Sequence, residues 1–249
     1  MALAPRVNVL LVCGGKYHDF DYARLELLKL LGEQARLRVR VTEDYSHVEA
    51  INSADMLITY TCNILPGPES QAALQQFLDR GGRWFALHGT NSVLQWVREQ
   101  KAWTAPRSAP DFMQMLGSQF IAHPAIEPYR VEVSDSAHPL VSGIEAFDAD
   151  DELYLCEYHG NNHALLHTKF SGTASGFVES DWSGGQRQLV LYTHRHSNGE
   201  VLYCTLGHCR GHYDMQPLMP EYPDIERGAW KLPVFHQILR RGIHWAAKL

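Results

Sequence analysis

The 249-residue sequence lacks several features that assign a protein to a broad functional class at once. No apolar run approaches the length of about 20 residues that a membrane-spanning helix needs, and nothing near residue 1 resembles a secretory signal. The 22 Lys and Arg residues are scattered and outnumbered by 28 Asp and Glu residues, which gives a formal net charge of -6. Because a basic patch is missing, we expect no nucleic-acid partner. Because a spanning segment and a secretory signal are missing, we expect a cytoplasmic protein without membrane association.

Cysteine and nucleotide-binding motifs are also scarce. The 5 cysteines show no Cys-x-x-Cys spacing, which argues against a disulfide framework and against a thiolate zinc site. Buried thiols in a reducing compartment are the simpler interpretation. Gly14 and Gly15 follow the first apolar run, but the Gly-x-Gly-x-x-Gly spacing and the Lys and Ser/Thr of a phosphate loop are missing. We therefore expect no nucleotide cofactor.

Short apolar runs alternating with helical patterns indicate the fold. Strands are predicted at residues 7–12, 37–42, 56–60 and 84–87, and helices at residues 22–34, 47–54, 70–80 and from His88 through 93–98. These strand-then-helix repeats predict an α/β fold with a doubly wound, mainly parallel sheet and helices on both faces. The chain length favours a single domain over residues 1–249. Further strands are predicted at residues 129–133, 188–192 and 201–206, and a closing helix at residues 234–247.

Histidine is unusually frequent, with 14 residues, and three histidines directly follow predicted strands. These are His18, His88 and His208. Since ligands in open α/β sheets bind where parallel strands end, we expect the three imidazoles to meet at one edge of the sheet. Together with Glu152 they would suit zinc or another divalent ion, and His88, Glu152 and His18 are our candidates for acid–base catalysis. In the simpler alternative, His88 is a turn residue whose ring nitrogens bind backbone groups.

Several motifs, taken in their order and spacing, resemble one family over about residues 7–247. They lie at residues 15–19, 81–89, 116–124, 138–139, 151–154, 199–208 and 242–246. Together they resemble the ThuA-like (trehalose utilization) family. The resemblance implies a flavodoxin-like fold related to class I glutamine amidotransferases and a role in sugar catabolism. It further implies a substrate such as a 3-keto-disaccharide, and a hydrolase or lyase that cleaves its glycosidic bond.

The sequence departs from the amidotransferases at the turn after the fourth strand. Those enzymes carry a nucleophilic cysteine in a Gly-x-Cys-x-Gly elbow, whereas residues 86–90 here are Ala-Leu-His-Gly-Thr. An imidazole does not form the stable thioester of glutamine hydrolysis, so we expect no glutaminase activity. Within the ThuA-like pattern, Arg83-Trp84 and Glu200 are unusual, which bears on the substrate more than on the fold.

Six further residues are candidates for contact with a sugar, because they lie in these motifs or offer an aromatic face for stacking. They are Tyr17, Asp19, Trp96, His123, Tyr154 and His194. We expect a small carbohydrate to be the partner of this site, and a homo-oligomer is compatible with the sequence. A different class of function also fits, namely a non-catalytic sugar-binding or regulatory protein that kept the amidotransferase-like fold.

Overall fold

The computed structural model describes residues 5–249, which contain thirteen strands, five α-helices and two short 3-10 helices. The 3-10 helices are His88–Asn91 and Gly228–Lys231. The helices are α1 (Phe20–Gly32), α2 (Val48–Ser53), α3 (Pro68–Asp79), α4 (Pro110–Leu116) and α5 (Pro233–Ala247). The strands are β1 (Val7–Gly15), β2 (Leu37–Thr42), β3 (Met56–Cys62), β4 (Arg83–Leu87), β5 (Gln95–Val97), β6 (Ala102–Thr104), β7 (Ser118–Ala122), β8 (Glu127–Val133), β9 (Phe147–Asp151), β10 (Leu155–Tyr158), β11 (Asn162–Lys169), β12 (Arg187–His196) and β13 (Gly199–Cys204).

Nine of these strands form one central sheet in the order β2-β1-β3-β4-β13-β12-β11-β8-β9. The strands from β2 to β13 in that order are parallel neighbours, whereas those from β13 onward pair antiparallel. The predicted mixed α/β fold with a large central sheet is therefore confirmed. Its parallel half contains the strands that the apolar runs predict, and the antiparallel half extends it on one side.

Helices cover both faces of the parallel half and bury the inner strands β1, β3, β4 and β13 on both sides, whereas the edge strand β2 is partly exposed. Along β1, Val9 and Leu11 pack in a core with α1 and α5, while Leu10 and Val12 pack in a second core with α2, α3 and α4. Each fully buried side chain of this size contributes roughly 1.5–3 kcal/mol to folding. Among the helices of residues 5–249, none is long and apolar enough to cross a membrane.

One predicted element is wrong. The helix expected after His88 ends as a 3-10 turn at Asn91, and residues 93–98 instead contain β5, which pairs with β6. A contact with the loop after β3 stabilises this extended path, because the Asn63 side chain accepts a hydrogen bond from the Leu94 backbone N–H at 2.8 Å. The strands β7, β9 and β11 were also not predicted.

Candidate functional site

The parallel half of the sheet brings three histidines together at its carboxyl edge. His18 lies in the loop after β1, His88 directly follows β4, and His208 lies in the loop after β13. One nitrogen from each ring and one oxygen of Glu152 lie within 4.8 Å of one another, and all four side chains are buried. Because β1, β3, β4 and β13 are consecutive parallel neighbours, the strand order itself produces this convergence.

Backbone carbonyls fix the ring orientations of His18 and His88. The Nδ1 atom of His88 lies 2.8 Å from the Thr205 carbonyl oxygen, and Nδ1 of His18 lies 3.2 Å from the Lys16 carbonyl oxygen. A carbonyl only accepts hydrogen bonds, so each Nδ1 carries the proton and each Nε2 is left with a lone pair. The two Nε2 atoms face each other at 2.8 Å. Two lone pairs at that distance are stable only with a proton or another cation between them.

His208 contributes a third ring nitrogen, which lacks a hydrogen bond. Its Nε2 donates to Glu226 Oε2 at 2.7 Å, and its buried Nδ1 lies 3.4 Å from Glu152 Oε1 without a hydrogen bond. Burial alone would lower the pKa of this imidazole, but Glu152 and Glu226 raise the pKa of His208 to about 9. Burial dominates at His18 and lowers the pKa of that imidazole to about 3, so His18 is neutral at pH 7.

Glu152 lies at the centre of the cluster. Its carboxylate oxygens are 3.4 Å from His88, 3.7 Å from His123 and 3.5 Å from Arg210. Burial alone would raise the pKa of this carboxyl group, but His208 and His123 outweigh burial and hold it well below the ordinary range. Glu152 is therefore an ionised carboxylate in a nearly water-free setting, where its charge acts strongly on any bound group.

A second buried carboxylate holds the cluster in place. Asp151 is fully buried and accepts hydrogen bonds from the backbone N–H groups of Glu152, Gly207, His208 and Ala229, at 2.9, 3.0, 3.1 and 2.8 Å. Burial raises the pKa of this carboxyl group, and the nearby histidines and N–H donors lower it in part. Asp151 thus ties the end of β9 to the loop that carries His208.

The turn at His88 is sharp and strained. His88 has a φ of 43°, a left-handed conformation that non-glycine residues rarely adopt. The next residue is glycine for a steric reason, because a Cβ at Gly89 would lie 2.6 Å from the Thr61 carbonyl oxygen and 2.8 Å from Cys62 Cβ. The tight turn places the His88 ring under the loops that follow β1 and β13.

The chemistry of the donor set fits a divalent cation. Three imidazole nitrogens and one carboxylate oxygen are a common set for zinc and related ions. Each of the three imidazoles also donates its other N–H to an oxygen, as metal-binding histidines almost always do. The orphaned Nδ1 of His208 and the opposed Nε2 atoms of His18 and His88 are the groups that a cation would satisfy.

A cavity of about 300 Å³ opens above this cluster. His18, Glu152, His123 and Arg210 line its buried end. The remaining walls are largely aromatic and aliphatic, and they include Tyr17, Leu94, Trp103, Phe120, Tyr154, Phe177, Met215 and Leu218. The size lies at the lower end of the range of small-molecule sites, about 300–1,000 Å³.

Comparisons with known proteins assign the chain to a family. The sequence profile of the ThuA family, described as trehalose utilisation, matches residues 8–220. The chain belongs to the ThuA family. No curated protein matches the sequence.

Solved structures share the fold of this ThuA protein at low identity. A ThuA-like protein from Parabacteroides merdae superposes with a TM-score of 0.69 and 16% identity, over 97% of this chain and 90% of the other. A ThuA-like protein from Bacteroides uniformis superposes with a TM-score of 0.66 and 17% identity, over 99% of this chain and 93% of the other. A β-galactosidase from Rahnella sp. R3 superposes with a TM-score of 0.54 and 12% identity, over 98% of this chain and 31% of the enzyme.

Three of the six predicted sugar-contacting residues of the ThuA protein do not line the cavity. Trp96 packs edge-on against Trp103 and is half exposed. Asp19 caps α1 and forms an ion pair with Arg227 at 3.0 Å. His194 lines a separate cavity of about 1020 Å³. The other three, namely Tyr17, His123 and Tyr154, do line the cavity above the cluster.

Three residues of the cluster were missed by the sequence reasoning, namely Asp151, Arg210 and Glu226. Arg210 lies two residues after His208 and could have been found from that spacing. Asp151 lies in the acidic run of residues 150–152, and the sequence of such a run does not show which of its side chains is buried. Glu226 carries no sequence signal, because only the backbone pairing of Arg210 with Glu226 brings its loop to the site.

Proposed function

We propose that this ThuA protein is an enzyme that cleaves a keto-glycoside by acid–base chemistry at the cluster of His18, His88, Glu152 and His208. One observation carries the proposal: three buried imidazoles and an ionised carboxylate converge, and two members of this cluster, His18 and Glu152, line the buried end of a cavity large enough for a small molecule. Perturbed titratable groups at the end of such a cavity are typical of catalytic sites. The family description, trehalose utilisation, supports a sugar as substrate.

We further propose that a divalent ion, such as zinc, is held by His18, His88 and His208. When bound there, the ion would polarise a keto oxygen as a Lewis acid. The three histidines are oriented for this role by Lys16 and Thr205 carbonyls and by Glu226. Arg210 joins Glu152 to Glu226, with its guanidinium 3.5 Å from the first carboxylate and 3.0 Å from the second.

The residues of the cavity suggest how the glycosidic bond breaks. A ketone at C3 of a sugar ring makes the hydrogen on C2 acidic, and loss of that proton allows the oxygen substituent on C1 to leave. The C2–H and C1–O bonds break, a C1=C2 double bond forms, and the leaving oxygen takes up a proton. We assign Glu152 to accept the proton from C2 and return it to the leaving oxygen, because its carboxylate is ionised and faces the cavity.

The proposed fold type rests on strand order. The parallel half has the order β2-β1-β3-β4-β13 with helices on both faces, which is the order of a flavodoxin-like doubly wound sheet. In such sheets the ligand site lies at the carboxyl edge, where the strand order reverses. The histidines after β1 and β4 lie at that edge, which supports a functional rather than a structural role.

The proposal is tested by measuring turnover of 3-keto-trehalose. The protein is purified without a histidine tag and is loaded with zinc before the assay. We expect His88→Ala and His18→Ala to lower kcat at least about 100-fold, within the range for removal of acid–base groups. The control is His163→Ala, which removes a half-exposed imidazole outside the cavity and should leave turnover unchanged. A folded His88→Ala protein with wild-type turnover overturns the catalytic assignment. Tight binding of the keto-sugar without any turnover would favour the sugar-binding alternative.

A further inference from the structure

The charged side chains that line the cavity lie at its buried end. His18, Glu152 and Arg210 are each less than one-tenth exposed, and they carry the charges and imidazoles of the site. Toward the mouth, the lining residues become more exposed and apolar, and Leu218 is 50% exposed at the rim. A molecule bound with one end at the cluster therefore has its other end against a hydrocarbon and aromatic surface.

Five side chains form this outer wall, namely Leu94, Trp103, Phe177, Met215 and Leu218. Trp103 and Phe177 are held side by side, because the Trp103 N–H donates to the Gly176 carbonyl and the Val178 N–H donates to the Trp103 carbonyl. Phe177 also contacts the ring of His123, with 5.0 Å between centroids, so the wall begins directly beside the cluster.

The outer wall offers few partners for hydroxyl groups. Among the described residues that line the cavity there is no Asn, Gln, Asp or Lys, and the polar side-chain groups toward the mouth are the hydroxyls of Tyr17 and Ser175 and the indole N–H of Trp103. A second sugar ring carries several hydroxyl groups, and each that loses water without gaining a hydrogen bond weakens binding. An aromatic or aliphatic group gains affinity from the same surface.

We propose that the group released from the keto-glycoside is an apolar, aromatic alcohol rather than a second sugar. This inference rests on the proposed function, since it assigns the keto-sugar ring to the buried end and the leaving group to the outer wall. The ketone-bearing ring lies against Glu152 and the histidines, and the aromatic ring of the leaving alcohol packs against Trp103, Phe177 and Leu218.

The inference is tested by comparing two kinds of substrate. One is benzyl 3-keto-glucoside, assayed as each of its two anomers, and the other is 3-keto-trehalose. The oxygen released from 3-keto-trehalose is an anomeric hydroxyl, which is a better leaving group than benzyl alcohol. Leaving ability therefore favours the disaccharide, and a preference for the benzyl glycoside reports on binding of the released group. We expect kcat/KM to be about tenfold or more higher for the preferred benzyl anomer. A disaccharide consumed equally well or better overturns the inference and leaves the proposed function standing. If neither glycoside is cleaved, the proposed function fails, and the leaving-group assignment fails with it.

Variants on one loop provide a second readout. Leu218→Gln places an amide at the rim of the cavity and should raise KM for benzyl 3-keto-glucoside about tenfold, while KM for the disaccharide stays constant or falls. The control is Tyr213→Gln, since Tyr213 is 67% exposed on the same loop and does not line the cavity. The assignment of the leaving group to the outer wall is contradicted if the two substitutions change KM for the benzyl glycoside equally, or if Leu218→Gln leaves it unchanged.

Discussion

The buried carboxylate of Asp151 has a structural role that can be tested separately from catalysis. The substitution Asp151→Asn preserves shape but removes the charge and turns one acceptor oxygen into an N–H donor. Four backbone N–H groups point at this carboxylate, at distances from 2.8 to 3.1 Å. At least one of them must then face another donor in an interior that water does not reach.

The expected magnitude follows from these contacts. A hydrogen bond to a charged group contributes about 1.5–3 kcal/mol, and a buried donor left without a partner costs about 1–3 kcal/mol more. The amide oxygen keeps some of the bonds, so we expect the free energy of unfolding to fall by about 3–5 kcal/mol. For a chain of this size that corresponds to a decrease in melting temperature of about 6–20 °C.

Urea unfolding of the metal-free protein, followed by circular dichroism, measures the effect without any substrate. The neighbouring exposed residue provides a control, and Asp150→Asn should change the free energy of unfolding by less than about 0.5 kcal/mol. If Asp151→Asn costs less than about 1 kcal/mol, Asp151 does not organise the His208 loop as we argue. A large loss in both variants would instead point to a general sensitivity of β9.

Three further predictions concern the surroundings of the site. Glu226→Gln should lower zinc affinity about 10–100-fold in competition with a chromophoric chelator, because Glu226 orients His208; unchanged affinity contradicts this. Gly89→Ala should destabilise the fold by about 1–3 kcal/mol in urea, since the added Cβ meets backbone at 2.6 Å. Gly32→Ala, where a Cβ meets nothing within 4 Å, should be neutral or stabilising, and a similar loss in both refutes the steric argument. Burial raises the pKa of all five thiols to about 12, so iodoacetamide at pH 8 should label none in the native protein and five after unfolding; rapid native labelling refutes this.

The parallel strands were predictable because burial on both faces leaves a continuous apolar run in the sequence. Residues 56–60 and 84–87 were expected to be strands, and β3 and β4 lie at Met56–Cys62 and Arg83–Leu87. The antiparallel half was less predictable. In β9, three of five residues are aspartates, which strands disfavour, and the strand forms because it pairs with β8.

The convergence of the histidines was predictable for a topological reason, whereas the surrounding charges were not. A residue that directly follows a parallel strand must lie at one edge of the sheet, wherever the strand lies in the sequence, so His18, His88 and His208 needed only the strand assignment. Glu226 depends on the path of a loop without regular structure, and the tautomers depend on the carbonyls of Lys16 and Thr205. Such details follow from packing and leave no local pattern.

The strained turn at His88 connects the fold to the kind of chemistry that the site supports. The sequence resemblance to amidotransferases would place a reactive thiolate at this turn, but here His88 is fully buried and its Nδ1 is bound to the Thr205 carbonyl. Among residues 5–249, the thiol that lines the cavity is that of Cys62, and burial raises the pKa of this thiol to about 12, which leaves almost no thiolate at neutral pH. Thioester formation from glutamine therefore has no support at this turn. The strain in the turn instead aims the His88 lone pair at His18, and the divalent ion that we propose there would give that strained conformation a function.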